Sequence, residues 1–153
     1  MRELTQVKNL MVQPVTTVCT EDLMTEVTKI FEKENFHHLP VVDNEQKLKG
    51  IISRHDYHKL LSSMSIFKTE SSKREDEQFI TTLLVEEVMS EDVVTLRPED
   101  DLIKAIVLLQ KNLYHAFPVV NDQQEVIGIL TTYDLINYAF KDYNIPKSYE
   151  FVF

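Results

Sequence analysis

Apolar positions along the chain fall into short blocks whose period changes in the same order twice. Val15-Thr16-Thr17-Val18 and Val93-Val94-Thr95-Leu96 are brief runs rich in branched side chains, the composition of a half-buried strand. Acidic, cap-forming segments follow, Thr20-Glu21-Asp22 and Pro98-Glu99-Asp100-Asp101, which predict helix N-termini. Spacings of three and four come next: Leu23, Val27, Ile30 and Phe31 in the first block, Leu102, Ala105, Ile106, Leu109 and Leu113 in the second. Such spacing predicts helices with one buried face. Leu39-Pro40-Val41-Val42 and Phe117-Pro118-Val119-Val120 read as buried strands, each closed by a turn at Asp43-Asn44 or Asn121-Asp122. The chain returns through Leu48 to Ile52 and Val126 to Leu130, then enters a second helix at Ser53 or Thr131. Each block is therefore a β-α-β-β-α unit.

The repetition is exact in register. Laying residues 7–61 over 85–139 without a gap gives 15 identities in 55 pairs, where composition alone yields about 3 to 4. Among the matched pairs are Met11/Met89, Thr17/Thr95, His37/His115, Pro40/Pro118, Gly50/Gly128 and Asp56/Asp134. The chain has only 2 glycines, Gly50 and Gly128, and each opens the pattern Gly, two aliphatics, Ser or Thr, two variable residues, Asp. A long period present twice predicts an α+β fold of two similar units packed face to face, not a solenoid. The expected boundaries are 1–61 for the first unit, 62–81 for a linker, 82–140 for the second unit and 141–153 for a tail. Residues 62–81 hold Lys73-Arg74-Glu75-Asp76-Glu77 and no sustained apolar period, so they read as a polar, partly mobile connector.

Composition narrows the function classes. With 43% hydrophobic residues, 153 residues suffice for one unit or two lobes sharing a core. No apolar run approaches the roughly 18 residues of a membrane span, and Met1-Arg2-Glu3-Leu4-Thr5 lacks a signal peptide's apolar stretch. The lone Cys19 reads as a small strand-edge residue, and the expected compartment is the reducing cytoplasm. Net charge is -9, of which -2 falls in residues 1–80 and -7 in 81–153. An acidic surface of this kind repels nucleic acid and anionic membranes, so neither is an expected partner.

These features resemble the CBS domain, and two copies in one chain resemble a CBS pair, or Bateman module, over about residues 5–140. The resemblance rests on His37 to Val42 and His115 to Val120, each His-x-(Leu/Phe)-Pro-Val-Val, and on Gly50 to Asp56 and Gly128 to Asp134. It implies tandem β-α-β-β-α units about a pseudo-twofold axis, with two clefts for adenosine nucleotides such as AMP, ADP or ATP, or other adenosyl compounds. It also implies a homodimeric, disc-like association and regulation of a separate protein. In the related nucleotide-sensing subunits of AMP-activated kinases, a histidine at the place of His37 and His115 faces the phosphates. The same resemblance puts Val15 to Val18 with Leu39-Pro40 around one base, and Val93 to Leu96 with Phe117-Pro118 around the other, which draws in Thr17 and Thr95.

The corners themselves carry a chemical argument. A hydroxyl at Ser53 or Thr131, beside the unpaired N–H groups of a helix start, makes an anion site suited to phosphate. Asp56 or Asp134, three residues on, offers oxygens to the two hydroxyls of a ribose. The same Ser-x-x-Asp and Thr-x-x-Asp are also capping boxes that serve helices in proteins binding nothing. His37 and His115 likewise read either as phosphate contacts or as histidines hydrogen-bonded at strand starts.

The corners differ in charge: Arg54 and His55 flank Asp56, whereas Thr132 and Tyr133 flank Asp134. A more anionic ligand is thus expected in the first cleft. His55 and His58 share a helix face, but no cysteine pair or further carboxylate completes a metal site. No required cofactor is expected. With no activated nucleophile and no catalytic motif, an enzyme is disfavoured against a ligand-sensing module or a structural dimerisation module. Tyr143, Tyr149, Phe151 and Phe153 make the tail aromatic enough to pack on the module or across a dimer, or to end as a frayed terminus.

Overall fold

The computed structural model describes residues 5–64, 70–111 and 114–142. The first unit runs β1 (Val18–Cys19), α1 (Met24–Lys33), β2 (His38–Val42), β3 (Leu48–Ser53) and α2 (Arg54–Met64), and is followed by α3 (Glu70–Thr81). The second runs α4 (Leu102–Gln110), β4 (Ala116–Val120), β5 (Val126–Thr131) and α5 (Thr132–Phe140). In the first sheet β1 pairs parallel with β2, and β2 pairs antiparallel with β3. The second sheet holds β4 and β5, antiparallel.

Both hairpins close identically. Asp43 Oδ1 accepts from the N–H groups of Glu45 and Lys47 at 2.9 and 3.0 Å, and Asn121 Oδ1 accepts from Gln123 and Glu125 at 3.0 and 2.9 Å. Gln46 and Gln124 then take φ of 64° and 65°. The turns meet head to head, with Leu48 N donating to Gln124 O and Val126 N to Gln46 O. This symmetric junction lies where the two repeats abut.

The first strand of the second unit shrinks to a single bridge, Leu96 to Val119. Its cause is Pro98: at the equivalent position Thr20 donates its N–H to Val42 O at 3.0 Å, and proline has no N–H to extend the ladder. Helix starts also shift from expectation. Asp22 and Asp100 hold the turn after the first strand, accepting from Cys19 N and Arg97 N at 2.7 and 2.8 Å. Leu23 is the N-cap of α1 and is 45% exposed, while Met24 takes the buried place. Asp101 caps α4 as expected, accepting from Ile103 N, but Ile106 lies 40% exposed. Leu113 and residues 143–153 of the tail lie outside the described residues.

Residues 70–81, expected to be part of a polar connector, instead form α3, which packs on α1 and α2 with Ile80 fully buried. Among the described side chains of α3 only Asp76 and Ile80 are buried, so an aspartate stands where the apolar period needed a second hydrophobic residue.

The units are interlocked. Val7 is buried among Leu96, Leu102, Phe117 and Leu130 of the second core, while Val85 is buried among Val27, Phe31, Leu39 and Ile52 of the first. Backbone bonds repeat this exchange: Val12 and Ile129 bond reciprocally, as do Ser90 and Ile51. The opening segment of each repeat thus completes the opposite unit.

Candidate functional site

At each strand-to-helix corner the hydroxyl and carboxylate meet. Ser53 Oγ donates to Asp56 Oδ2 at 2.5 Å, and Asp56 N donates back to Ser53 Oγ at 3.0 Å. In the second unit Thr131 Oγ1 and Thr131 N donate to Asp134 Oδ2 at 2.6 and 2.8 Å. Both corners are complete capping boxes. In both, the described bonds to the carboxylate fall on Oδ2, so Oδ1 takes no part in the cap.

His37 and His115 are exposed and stand beside these corners. The carbonyl of His37 accepts from Arg54 N at 2.9 Å, and that of His115 accepts from Thr132 N and Thr132 Oγ1 at 3.1 and 3.2 Å. Thr17 and Thr95 are half-buried, and His55 and Tyr133 are exposed in the first helical turn.

Arg54 does not extend its charge freely from the corner. Its guanidinium donates to the carbonyls of Phe31 and Glu34 at the end of α1 and lies 5.4 Å from the Phe31 ring centroid. A cation there complements the negative end of the helix dipole. The charge asymmetry between the corners that the sequence suggests is therefore largely spent on capping α1.

Leu39 and Phe117 point into the two cores, 1% and 0% exposed. Neither side chain is available to a base. Pro40 and Pro118 alternate to the other sheet face and are buried, where β2 lies against β5. A cavity of about 380 Å³ opens instead beside α1, lined by Thr16, Lys29, Ile30, Lys33, Glu34 and Phe36. Glu34 ties it to Arg54, and Phe36 adjoins His37, so it borders the first corner.

One histidine of the first unit senses the charge of a residue in the second. Burial pushes the imidazole of His38 below its ordinary pKa, His115 and His37 press it the same way, and Asp56 opposes them. His38 pairs with Ser53 in the β2–β3 ladder. The two histidine positions and one corner carboxylate thus share an electrostatic neighbourhood. Burial also pushes the Cys19 thiol up, with Asp22, Glu21 and Asp43 adding to it, so the thiol is not activated. Among the described residues, no group of three or more His, Cys, Asp or Glu is placed to hold a metal ion. No helix among them is long and apolar enough to cross a membrane.

The family model for the CBS domain matches residues 7–63 and 85–141. The chain belongs to the CBS domain family. Its CBS pair is 31% identical over 127 residues to the inosine-5′-monophosphate dehydrogenase of Methanocaldococcus jannaschii, covering 83% of this chain and 22% of the enzyme. The L-aspartate semialdehyde sulfurtransferase of the same organism is 30% identical over 132 residues, 86% of this chain and 23% of that one. The chain thus spans under a quarter of the length of either enzyme. Among solved structures, the CBS domain pair of protein MJ0100, in complex with 5′-methylthioadenosine and S-adenosyl-L-methionine, superposes with a TM-score of 0.73 at 29% identity, covering 91% of this chain and 98% of that chain.

Sequence reasoning on the CBS pair singled out the corners but missed Ile30, Lys33, Glu34 and Phe36 as cavity residues. Ile30 had the helical spacing of a core residue, and it serves both roles, being half-buried against the first core. Phe36 carried a readable signal, an aromatic side chain left exposed at 38% just before a buried strand. His38 carried a weaker signal than His37, because Ala116 replaces it in the other repeat.

Proposed function

We propose that this CBS pair is a regulatory module that binds an adenosyl compound at its corners and passes the occupancy to a separate protein. The carrying observation is the paired geometry of Ser53 with Asp56 and Thr131 with Asp134, where one carboxylate oxygen caps the helix and the other remains available as a ribose acceptor. The hydroxyl and helix-start N–H groups suit phosphate or another polar tail. In the first unit the base lies against Thr16, Ile30 and Phe36 of the cavity, and Thr17, His37 and His55 supply further ligand contacts; Thr95, His115, Thr132 and Tyr133 form the counterpart in the second. The MJ0100 pair, which holds two adenosyl compounds, supports this ligand class. Binding regulates by linkage: a ligand shifts the module toward an arrangement only by its differential affinity for it.

The competing reading is a structural module whose corners are only caps, and the completeness of both capping boxes favours it. A thermal-shift series with AMP, ADP, ATP, 5′-methylthioadenosine and S-adenosylmethionine separates the two. Ligand at a hundred times its dissociation constant adds about 2.7 kcal/mol, roughly 5 to 10 °C for a chain of this size. Asp56→Ala and Asp134→Ala each lower the unliganded stability by about 1 kcal/mol as lost caps. On the sensing reading, at least one of them also abolishes the ligand-induced shift measured from its own baseline. Stabilisation by none of the five compounds would leave the structural module.

A further inference from the structure

We propose, resting on the reading of the corners as adenosyl sites, that His38 fits the first corner to an anionic ligand tail by taking up a proton when that tail binds. Alternation along β2 sends Leu39 and Val41 into the first core, so His38 and Pro40 lie on the opposite face, where β2 lies against β5. His38 is half-buried there and is the cross-strand partner of Ser53. Side chains paired in this way stand with Cβ atoms about 4.5–5.5 Å apart. The imidazole is therefore set beside the hydroxyl that bonds Asp56. At the second corner the same ladder position pairs Ala116 with Thr131, and a methyl group takes no proton.

A phosphate arriving at the first corner meets the carboxylate of Asp56. The guanidinium of Arg54, which would offset that charge, is held by the carbonyls of Phe31 and Glu34. The titratable groups that bear on His38 are His115 just before β4, His37 beside it in its own chain segment, and Asp56 in the first turn of α2. Burial, then His115 and His37, hold the imidazole neutral at pH 7 against the pull of Asp56. An anion within a few ångströms favours the imidazolium, so binding draws a proton onto His38. Linkage fixes the sign: affinity for an anionic ligand rises as pH falls from 8 toward 6, whereas an uncharged ligand gains nothing from His38. The preference for a more anionic ligand that Arg54 suggested at this corner thus passes to a group whose charge depends on pH.

Calorimetric titration with AMP and with 5′-methylthioadenosine, which shares its base and ribose without the charge, tests this in buffers of different ionisation enthalpy. The unmutated chain is expected to take up about half a proton more than His38→Gln on binding AMP at pH 7. From pH 8 to pH 6 its affinity for AMP should rise about threefold to tenfold more than that of His38→Gln. The phosphate of AMP titrates in both proteins alike, so the difference isolates His38, and 5′-methylthioadenosine should show neither effect. The extra proton is expected to be lost in Asp56→Ala and kept in Asp134→Ala; the reverse assigns it to the second corner and overturns the proposal. Equal uptake and equal pH dependence in the parent and His38→Gln, or binding of 5′-methylthioadenosine alone, overturn it and leave the adenosyl reading standing. Binding of neither compound overturns the proposal and, where ADP, ATP and S-adenosylmethionine also leave the chain unshifted, the adenosyl reading with it. The unmutated chain supplies a measurement that needs no variant to bind ligand: the imidazole of His38, followed by NMR across pH, should shift its midpoint upward by about one unit with AMP. An unchanged midpoint in the AMP-bound protein overturns the proposal.

Discussion

Gly50 and Gly128 show how a single residue type joins the two repeats. Neither has the positive φ that favours glycine. A Cβ at Gly50 would stand 2.5 Å from Met89 Sδ and 2.9 Å from Ser90 O; one at Gly128 would stand 2.9 Å from Met11 Sδ and 3.2 Å from Val12 O. Each glycine thus admits the segment that crosses from the other repeat, which explains why Met11/Met89 and Gly50/Gly128 are matched together. Gly50→Ala must displace a backbone carbonyl as well as a flexible thioether, so it is expected to cost about 1–3 kcal/mol. Gly128→Ala is expected to cost less, because its closest contact is the movable end of Met11. Urea unfolding of both variants checks the order, and an equal or larger loss for Gly128→Ala would contradict it. That these glycines hold equivalent places in the two repeats was legible from their scarcity and register. What approaches them was not, since Met89 and Met11 are distant in sequence from their partners.

Among elements, the amphipathic helices and the Pro-Val-Val hairpins were legible because period and turn chemistry agreed. The α3 helix was not, because among its described side chains the buried stripe is only Asp76 and Ile80, in a charged sequence. Helices of this polarity gain stability from tertiary packing more than from propensity. Ile80 anchors that packing. Ile80→Ala is expected to destabilise the protein by about 2–5 kcal/mol, whereas Phe79→Ala, at a side chain 52% exposed, should lie within about 0.5 kcal/mol of the parent. Chemical denaturation of the two variants measures the difference, and similar losses would mean that α3 is not docked through Ile80.

The whole molecule is knit by exchanged segments. Val7 completes the core around Phe117, and Val85 completes the core around Leu39, so neither repeat taken as a continuous stretch holds its own full core. Equilibrium unfolding is therefore expected to be one cooperative transition, with helical circular dichroism and tyrosine fluorescence tracing the same curve. Two separated transitions would show that the units fold independently. The same exchange runs close to both corners, since Ile51 and Ile129, which bond to Ser90 and Val12, stand two residues before Ser53 and Thr131.

The sequence by itself determined the duplication, the order of elements and the two hydroxyl–carboxylate corners, because these depend on local periodicity, turn residues and register, all of which are contiguous in the chain. Tertiary structure alone decided which segment completes which core, that Leu39 and Phe117 face inward, that Arg54 caps α1 instead of facing the corner freely, and that His38 falls under the electrostatic influence of His115. Each of these depends on which distant residues come within a few ångströms, and that proximity is a product of packing, which no local pattern encodes.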